Sequence, residues 1–254
     1  MINYKILLPP SEGKLEGGKE KYSNVKKRNY FYCLEEERSF LLEKLLQFIS
    51  NSNPKDLEKL FSVKTNFEQI TSLLQNFDDK LTLPAIKRYS GVMFNAINYQ
   101  TLDQNQKNNA NESILFIDGL FGLLKITDLI PNYKLSIAAK FSDFKIDNYW
   151  KKNLKQTLKE ELQGKIILDI LPQAHRKAVD IDNQKCYLIN FFEVKNGQAK
   201  NAGHISKKLK GEFIRYILQF DEINLEILYN FSHSQGYKYC QNLSSDTEII
   251  FLKS

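Results

Sequence analysis

Two aspartates and a few lysines carry the chemistry this sequence offers. Asp118 directly precedes a turn bounded by Gly119 and Gly122, Lys125 and Asp128 follow it, and Lys207 and Lys208 are adjacent in the chain. An amine whose pKa is depressed by a neighbouring cation becomes a nucleophile, and a carboxylate beside it takes a proton or steadies developing positive charge. Lys207-Lys208 has the first arrangement, and Asp118 and Asp128 supply the second. The bland alternative for each is structural: a solvated lysine face, or an aspartate neutralised by a cation in the fold. His175, His204 and His233 share no metal-ligand spacing, and Cys33, Cys186 and Cys240 are odd in number and far apart. Neither a metal centre nor a disulfide framework is implied, no cofactor is expected, and the thiols are expected to be free and at least partly buried. His175, with Arg176 and Lys177, reads as a basic surface cluster.

The charge is concentrated. The formal net charge is +6. Between Lys195 and Arg215 six basic residues face one acid, Glu212, and between Lys19 and Arg28 five face Glu20. A polyanion rewards such clustering, because each phosphate neutralised releases counterions. At 254 residues, 42% hydrophobic and 26% charged, the composition is that of a soluble globular chain with a sizeable core. No apolar run is long enough to span a bilayer, and the N-terminus lacks a secretory pattern, so a cytoplasmic location without a membrane partner is expected.

These residues must be positioned by elements that the patterning outlines. Ile114–Ile117 is a short apolar run typical of a buried strand. After the glycine turn, Leu123, Leu124, Ile126, Leu129 and Ile130 recur at helical spacing, which predicts a helix ended by Pro131. Tyr4–Leu8 predicts a strand stopped by Pro9-Pro10, leaving Ser11–Lys14 as a loop at its end. That loop lacks the complete phosphate-loop pattern of nucleotidases. Further strands are predicted at Lys165–Leu171, Cys186–Val194, Glu226–Tyr229 and Glu248–Leu252, and helices at Glu35–Ser50, Asn53–Lys64, Asn66–Phe77, Leu83–Asn98 and Tyr149–Leu162. Thr101–Ser113, polar and Asn-rich, reads as a surface loop. Leu209, Phe213, Tyr216, Ile217 and Phe220 form the apolar stripe of one more helix. Ser206 is its expected N-cap, Lys207 and Lys208 lie in its first turn, and Gly211 marks a close approach of another backbone or a ligand. Alternating strands and helices argue for an α/β (α+β) fold: one domain over residues 1–254 with a mixed β-sheet surrounded by helices.

With five motifs in order, the chain resembles the YaaA peroxide-stress family. They are LLPPSEGK at Leu7–Lys14, RYSGVMFNAI at Arg88–Ile97, the glycine-punctuated signature from Asp118 to Ile130, SKKLKGEFIRYI at Ser206–Ile217, and GYKY with IIFLK between Gly236 and Lys253. Members often carry Ser in place of Asp118 and Arg in place of Lys125. The resemblance implies a family-specific topology with a helix-hairpin-helix-like element, and a basic cleft that grips double-stranded or distorted DNA during the oxidative stress response. Lys14, Arg88, Lys125, Lys207, Lys208 and Arg215 are the expected DNA contacts, with Tyr89 available to stack on an exposed base. The alternative is a DNA glycosylase and AP lyase acting on oxidised bases such as 8-oxoguanine. Its lysine nucleophile and aspartate would come from Asp118, Asp128, Lys207 and Lys208. The sequence leaves open whether the protein is an enzyme.

Overall fold

β1 (Tyr4–Leu8) is buried along its whole length, Lys5 included, as a strand covered on both faces must be. The computed structural model describes residues 2–181 and 185–253. On one side β1 pairs in parallel with β2 (Ile114–Asp118), along which β3 (Gly122–Lys125) returns antiparallel. On the other side β4 (Ile166–Asp169) pairs with β1 in parallel, and β5 (Lys185–Lys195) pairs with β4 likewise. β6 (Gln198–Asn201) folds back on β5, β7 (Lys238–Tyr239) forms an edge, and β8 (Glu248–Lys253) joins β5 in parallel. The eight-stranded order is β7-β8-β5-β4-β1-β2-β3, with β6 attached to β5. The chain therefore builds the sheet in both directions from β1. Leu8 lies opposite Phe116 and Leu7 opposite Asp169, so the carboxyl ends of β2, β1 and β4 finish on one edge.

Helices cover the sheet. α1 (Glu35–Ser50) keeps the predicted bounds. α2 (Val92–Ile97) follows a short helix over Ala85–Arg88, and α3 (Gln104–Ser113) leads into β2. α4 (Ile146–Asn153) and α5 (Lys155–Leu162) precede β4, and α6 (Ile205–Ile217) carries the predicted stripe, with Leu209, Phe213 and Ile217 fully buried. A Cβ on Gly211 would collide with the Met93 carbonyl of α2 and lie 2.7 Å from the Ala96 Cβ. The close approach that this glycine permits is thus another backbone.

Several expectations change in three dimensions. The predicted helix after Gly122 is strand β3. Its short apolar run is ambiguous in period, and pairing with β2 takes up the backbone groups that a helix would have bonded internally. Gly122 sits at φ +70° with the Trp150 ring 2.5 Å from where a Cβ would stand, so the hairpin needs glycine on two counts. Thr101–Ser113 contains α3 rather than a loop. Asp103 and Gln106 form a reciprocal capping box at its start, a signal present in the sequence. Tyr149–Leu162 is two helices, Leu83–Asn98 is a strand and two short helices, and Glu226–Tyr229 lies in a helix capped by Asn224. His204, not Ser206, precedes α6, and Ser206 is buried inside its first turn. Cys33 is exposed, while Cys186 and Cys240 are partly buried. No helix among the described residues is long and apolar enough to cross a membrane.

Candidate functional site

In open α/β sheets the crevice outside the carboxyl ends of strands, where chain order reverses, is the place where ligands are held. Here that point is β1, flanked by β2 and β4. Each flanking strand ends in a buried aspartate, Asp118 and Asp169. Each turns its carboxylate onto the backbone two residues ahead, Asp118 onto the Leu120 N–H at 2.7 Å and Asp169 onto the Leu171 N–H at 2.8 Å. Strand ends leave unpaired N–H groups, and a following carboxylate satisfies them.

Asp118 is completely enclosed. Its Oδ1 also accepts the Phe121 N–H at 2.9 Å, and its Oδ2 accepts the Tyr89 hydroxyl at 2.9 Å together with the Tyr133 hydroxyl. Four donors fill the capacity of one carboxylate, so Asp118 has no lone pair left with which to act as a base. Burial, with the charge of Asp118 adding to it, pushes both tyrosine pKa values well up. Both rings therefore remain hydroxyl donors, and Tyr89 is turned inward instead of presenting a stacking surface.

Lys14 reaches this cluster from the loop after β1. The loop is held by Ser90 N–H donating to the Gly13 carbonyl (3.0 Å) and Leu15 N–H donating to the Arg88 carbonyl (2.8 Å). The Ser11 hydroxyl adds a bond to the Ser90 carbonyl. The Lys14 Nζ stands 4.3 Å from the centroid of the Tyr133 ring and 5.4 Å from that of Tyr89, and donates to the Ser11 carbonyl at 3.0 Å. Among the described residues no carboxylate comes within 4.0 Å of it. Burial pulls this amine down to about 8, opposed by Asp118 and Glu12 and assisted by Arg88 and Lys134. His175, expected on the surface, is mostly enclosed. Its Nδ1 is buried without a partner, and burial pushes the ring down to about 4 although the charge of Asp118 acts on it in the other direction. Beside it, Asp169 accepts Arg176 Nε at 2.6 Å, and Lys210 of α6 reaches the Ile170 carbonyl. Burial brings that lysine also to about 8.

The remaining sequence candidates disperse. Because β3 runs antiparallel to β2, with Leu115 opposite Lys125, Lys125 is carried to the far edge of the sheet from Asp118. It stands 3.8 Å over the Tyr30 ring. Asp128 is buried and accepts the Tyr30 and Lys125 N–H groups at 2.7 and 2.8 Å, a structural role. Arg88, expected on phosphate, is fully buried. Its guanidinium donates to the carbonyls of Leu15, Gly17, Leu81 and Ile130, which leaves it nothing to offer a ligand. Arg215 caps the end of α2 through the Ile97 and Asn98 carbonyls. Lys207 and Lys208 are exposed on α6, Lys208 lying 3.7 Å from Glu212. The Lys19–Arg28 cluster is largely neutralised: Lys21 pairs with Asp79, Lys26 with Asp78, and Arg28 with Glu20. Tyr133 and Asp169 were not candidates from the sequence, and Lys210 entered only as one of the six basic residues between Lys195 and Arg215. The available signal was the aspartate closing each apolar strand, ILFID and IILD. Among the described residues no group of three His, Cys, Asp or Glu is placed to hold a metal ion.

Comparison with known proteins agrees with the motif order. A family profile described as peroxide stress protein YaaA matches residues 4–243. The chain is similar to a UPF0246 protein of Rickettsia peacockii, with 29% identity over 220 residues that cover 84% of this chain and 88% of the relative. A UPF0246 protein of Rickettsia conorii matches to the same extent. One from Ligilactobacillus salivarius is 26% identical over 223 residues, again 84% of this chain and 88% of the relative.

Proposed function

The chain belongs to the peroxide stress protein YaaA family, and on that premise we propose that it protects DNA against peroxide by gripping the backbone of duplex or distorted DNA. The observation that supports this reading most is the placing of Lys207 and Lys208. They are exposed on the first turns of α6. Lys207 stands one turn before Lys210, on the same side of the helix, and Lys210 reaches the carboxyl end of β4. Lys207 thus lies on the side of α6 that faces the carboxyl end of β4, Lys208 lies on another side, 3.7 Å from Glu212, and exposed Lys177 follows the helix that bears His175. A backbone held by Lys207 would run along the edge of the sheet where β4 ends, the edge at which Lys14 follows β1. Arg88 and Arg215, bonded internally, and Lys125, at the opposite edge, lie outside this surface.

Backbone gripping is sequence-tolerant and salt-dependent. Distorted duplex is preferred if binding bends it, since such DNA costs less to deform. Anisotropy titrations of a labelled duplex at several salt concentrations test the reading. A steep log–log slope is expected, and the variant with Lys207→Ala and Lys208→Ala should lose about two units of it. A flat salt response in the wild type, or an unchanged slope in the folded variant, would overturn the proposal. The alternative, lysine chemistry on damaged DNA, draws support from a different residue than the adjacent pair.

A further inference from the structure

A lysine enclosed by protein without an anion beside it is expensive to keep charged. Lys14 is such a residue. Its Nζ is bordered by two aromatic rings and one carbonyl, and the carboxylate that acts on it most, Asp118, is already bound by four donors. Lys14 nevertheless retains some solvent-facing surface, so a small electrophile can reach it. Stabilising the fold explains none of this, since a methionine would fill the same space without the desolvation.

We propose that Lys14 is a carbonyl-reactive amine that forms a Schiff base with an aldehyde carried on a phosphate backbone, the open-chain deoxyribose aldehyde of an abasic site. The identity of the aldehyde rests on the DNA-binding reading; the reactivity of the amine rests on the site itself. The neutral Nζ adds its lone pair to the aldehyde carbon, forming a C–N bond while the C=O π pair moves to oxygen, and that oxygen takes one proton from the nitrogen to give a carbinolamine. The carbinolamine hydroxyl then leaves as water, taking one proton, and the electron pair on nitrogen closes the C=N bond, leaving a protonated imine. No oxidant or reductant is consumed. The positive charge of the imine lies between the Tyr89 and Tyr133 rings and in the field of Asp118. The ammonium form first gives up its extra proton to solvent, which reaches the partly exposed Lys14. Burial, which holds the amine at about 8, keeps a useful neutral fraction near neutral pH. Lys207 and Lys208, exposed on α6, contact the DNA backbone in this proposal and take no part in bond formation, in contrast to the catalytic role that the sequence offered them.

The test is reductive trapping with the full-length protein. Wild type is incubated with sodium borohydride and either a labelled duplex carrying one abasic site or free deoxyribose 5-phosphate, and the adduct is mapped by mass spectrometry. An adduct on Lys14 that disappears in Lys14→Met and in Lys14→Arg, both shown folded by circular dichroism, is the expected result. Trapping on the abasic duplex alone assigns the aldehyde to DNA. Trapping of deoxyribose 5-phosphate at Lys14 by a protein that fails to bind duplex would keep the reactive amine and discard the DNA reading. Duplex that is bound with no adduct on either probe overturns the inference and leaves DNA binding intact. An adduct that maps elsewhere, or that persists in Lys14→Met, overturns it as well.

Discussion

The two edges of the central sheet hold similar residues in opposite states. At the amino edge Lys5 is buried, but its Nζ donates to Glu161 Oε2 and to the Glu112 carbonyl, each at 2.9 Å. Lys165 donates to the Ile2 carbonyl, and Lys125 covers the Tyr30 ring. At the carboxyl edge Asp169 holds Arg176 as its cation, while the cation nearest the enclosed Asp118 cluster has no such anion. Asp118 accepts four donors and Asp169 two, whereas among the described residues Lys14 lacks an ion-pair partner and His175 Nδ1 lacks any partner. Burial is common to both edges, so it does not distinguish them. Compensation does: a buried cation with its anion is part of the scaffold, and one without it is a cost that the fold carries for another purpose. A groove of about 830 Å³ beside α1 belongs with the scaffold. Its Arg38 donates to the Phe121 and Leu123 carbonyls and so supports the β2–β3 hairpin.

The contrast is broken most severely by emptying the satisfied acid. Asp118→Ala strands two tyrosine hydroxyls and two backbone N–H groups, and should cost on the order of 4 kcal/mol in urea denaturation. A loss below about 1 kcal/mol would mean that water replaces the carboxylate and that the network is not a scaffold for Lys14. At the opposite edge, Lys5→Met leaves Glu161 enclosed without its cation and should destabilise by about 3 kcal/mol. A neutral outcome there would remove the distinction between the edges.

His175 sharpens the comparison through pH. Its folded pKa of about 4 lies below the ordinary 6.5, so the unfolded chain takes up the proton first as the pH falls. Stability is therefore undiminished above about 6.5 and is lost progressively between there and about 4. On the order of 2 kcal/mol is at stake, which His175→Gln should remove from the pH profile. A superimposable profile in the variant would show an imidazole already solvated. The smallest effect is expected at Lys14. Lys14→Met should stay within about 1 kcal/mol of the wild type at pH 7, or be more stable, because it deletes a desolvated amine and no ion pair. The wild type should also gain stability from pH 8 to 10.5, where the unfolded chain holds the proton and the folded one does not. The variant should lack that rise. Marked destabilisation would place Lys14 in the scaffold with Lys5.

Much of this architecture was legible in the sequence. Apolar runs located β1 and β2, the stripe of α6 stood at helical spacing, and five ordered motifs identified the family. These are local or collective signals, and burying apolar surface makes them reliable. The failures share one cause. The run after Gly122 suits a helix or a strand equally, and only pairing with β2 decided the matter, carrying Lys125 and Asp128 away from Asp118. Arg88 and Arg215 look like any surface arginine until their backbone acceptors, supplied from distant parts of the chain, are in place. The meeting of Lys14, Tyr89, Asp118 and Tyr133 likewise depends on strand order. Residues far apart in sequence share the carboxyl edge because β2 and β4 were laid on opposite sides of β1. The sequence by itself determined which segments would be buried and what chemistry their ends carried. Tertiary structure alone decided which charges found partners, because desolvation and pairing are properties of an assembled neighbourhood and have no counterpart in spacing along the chain.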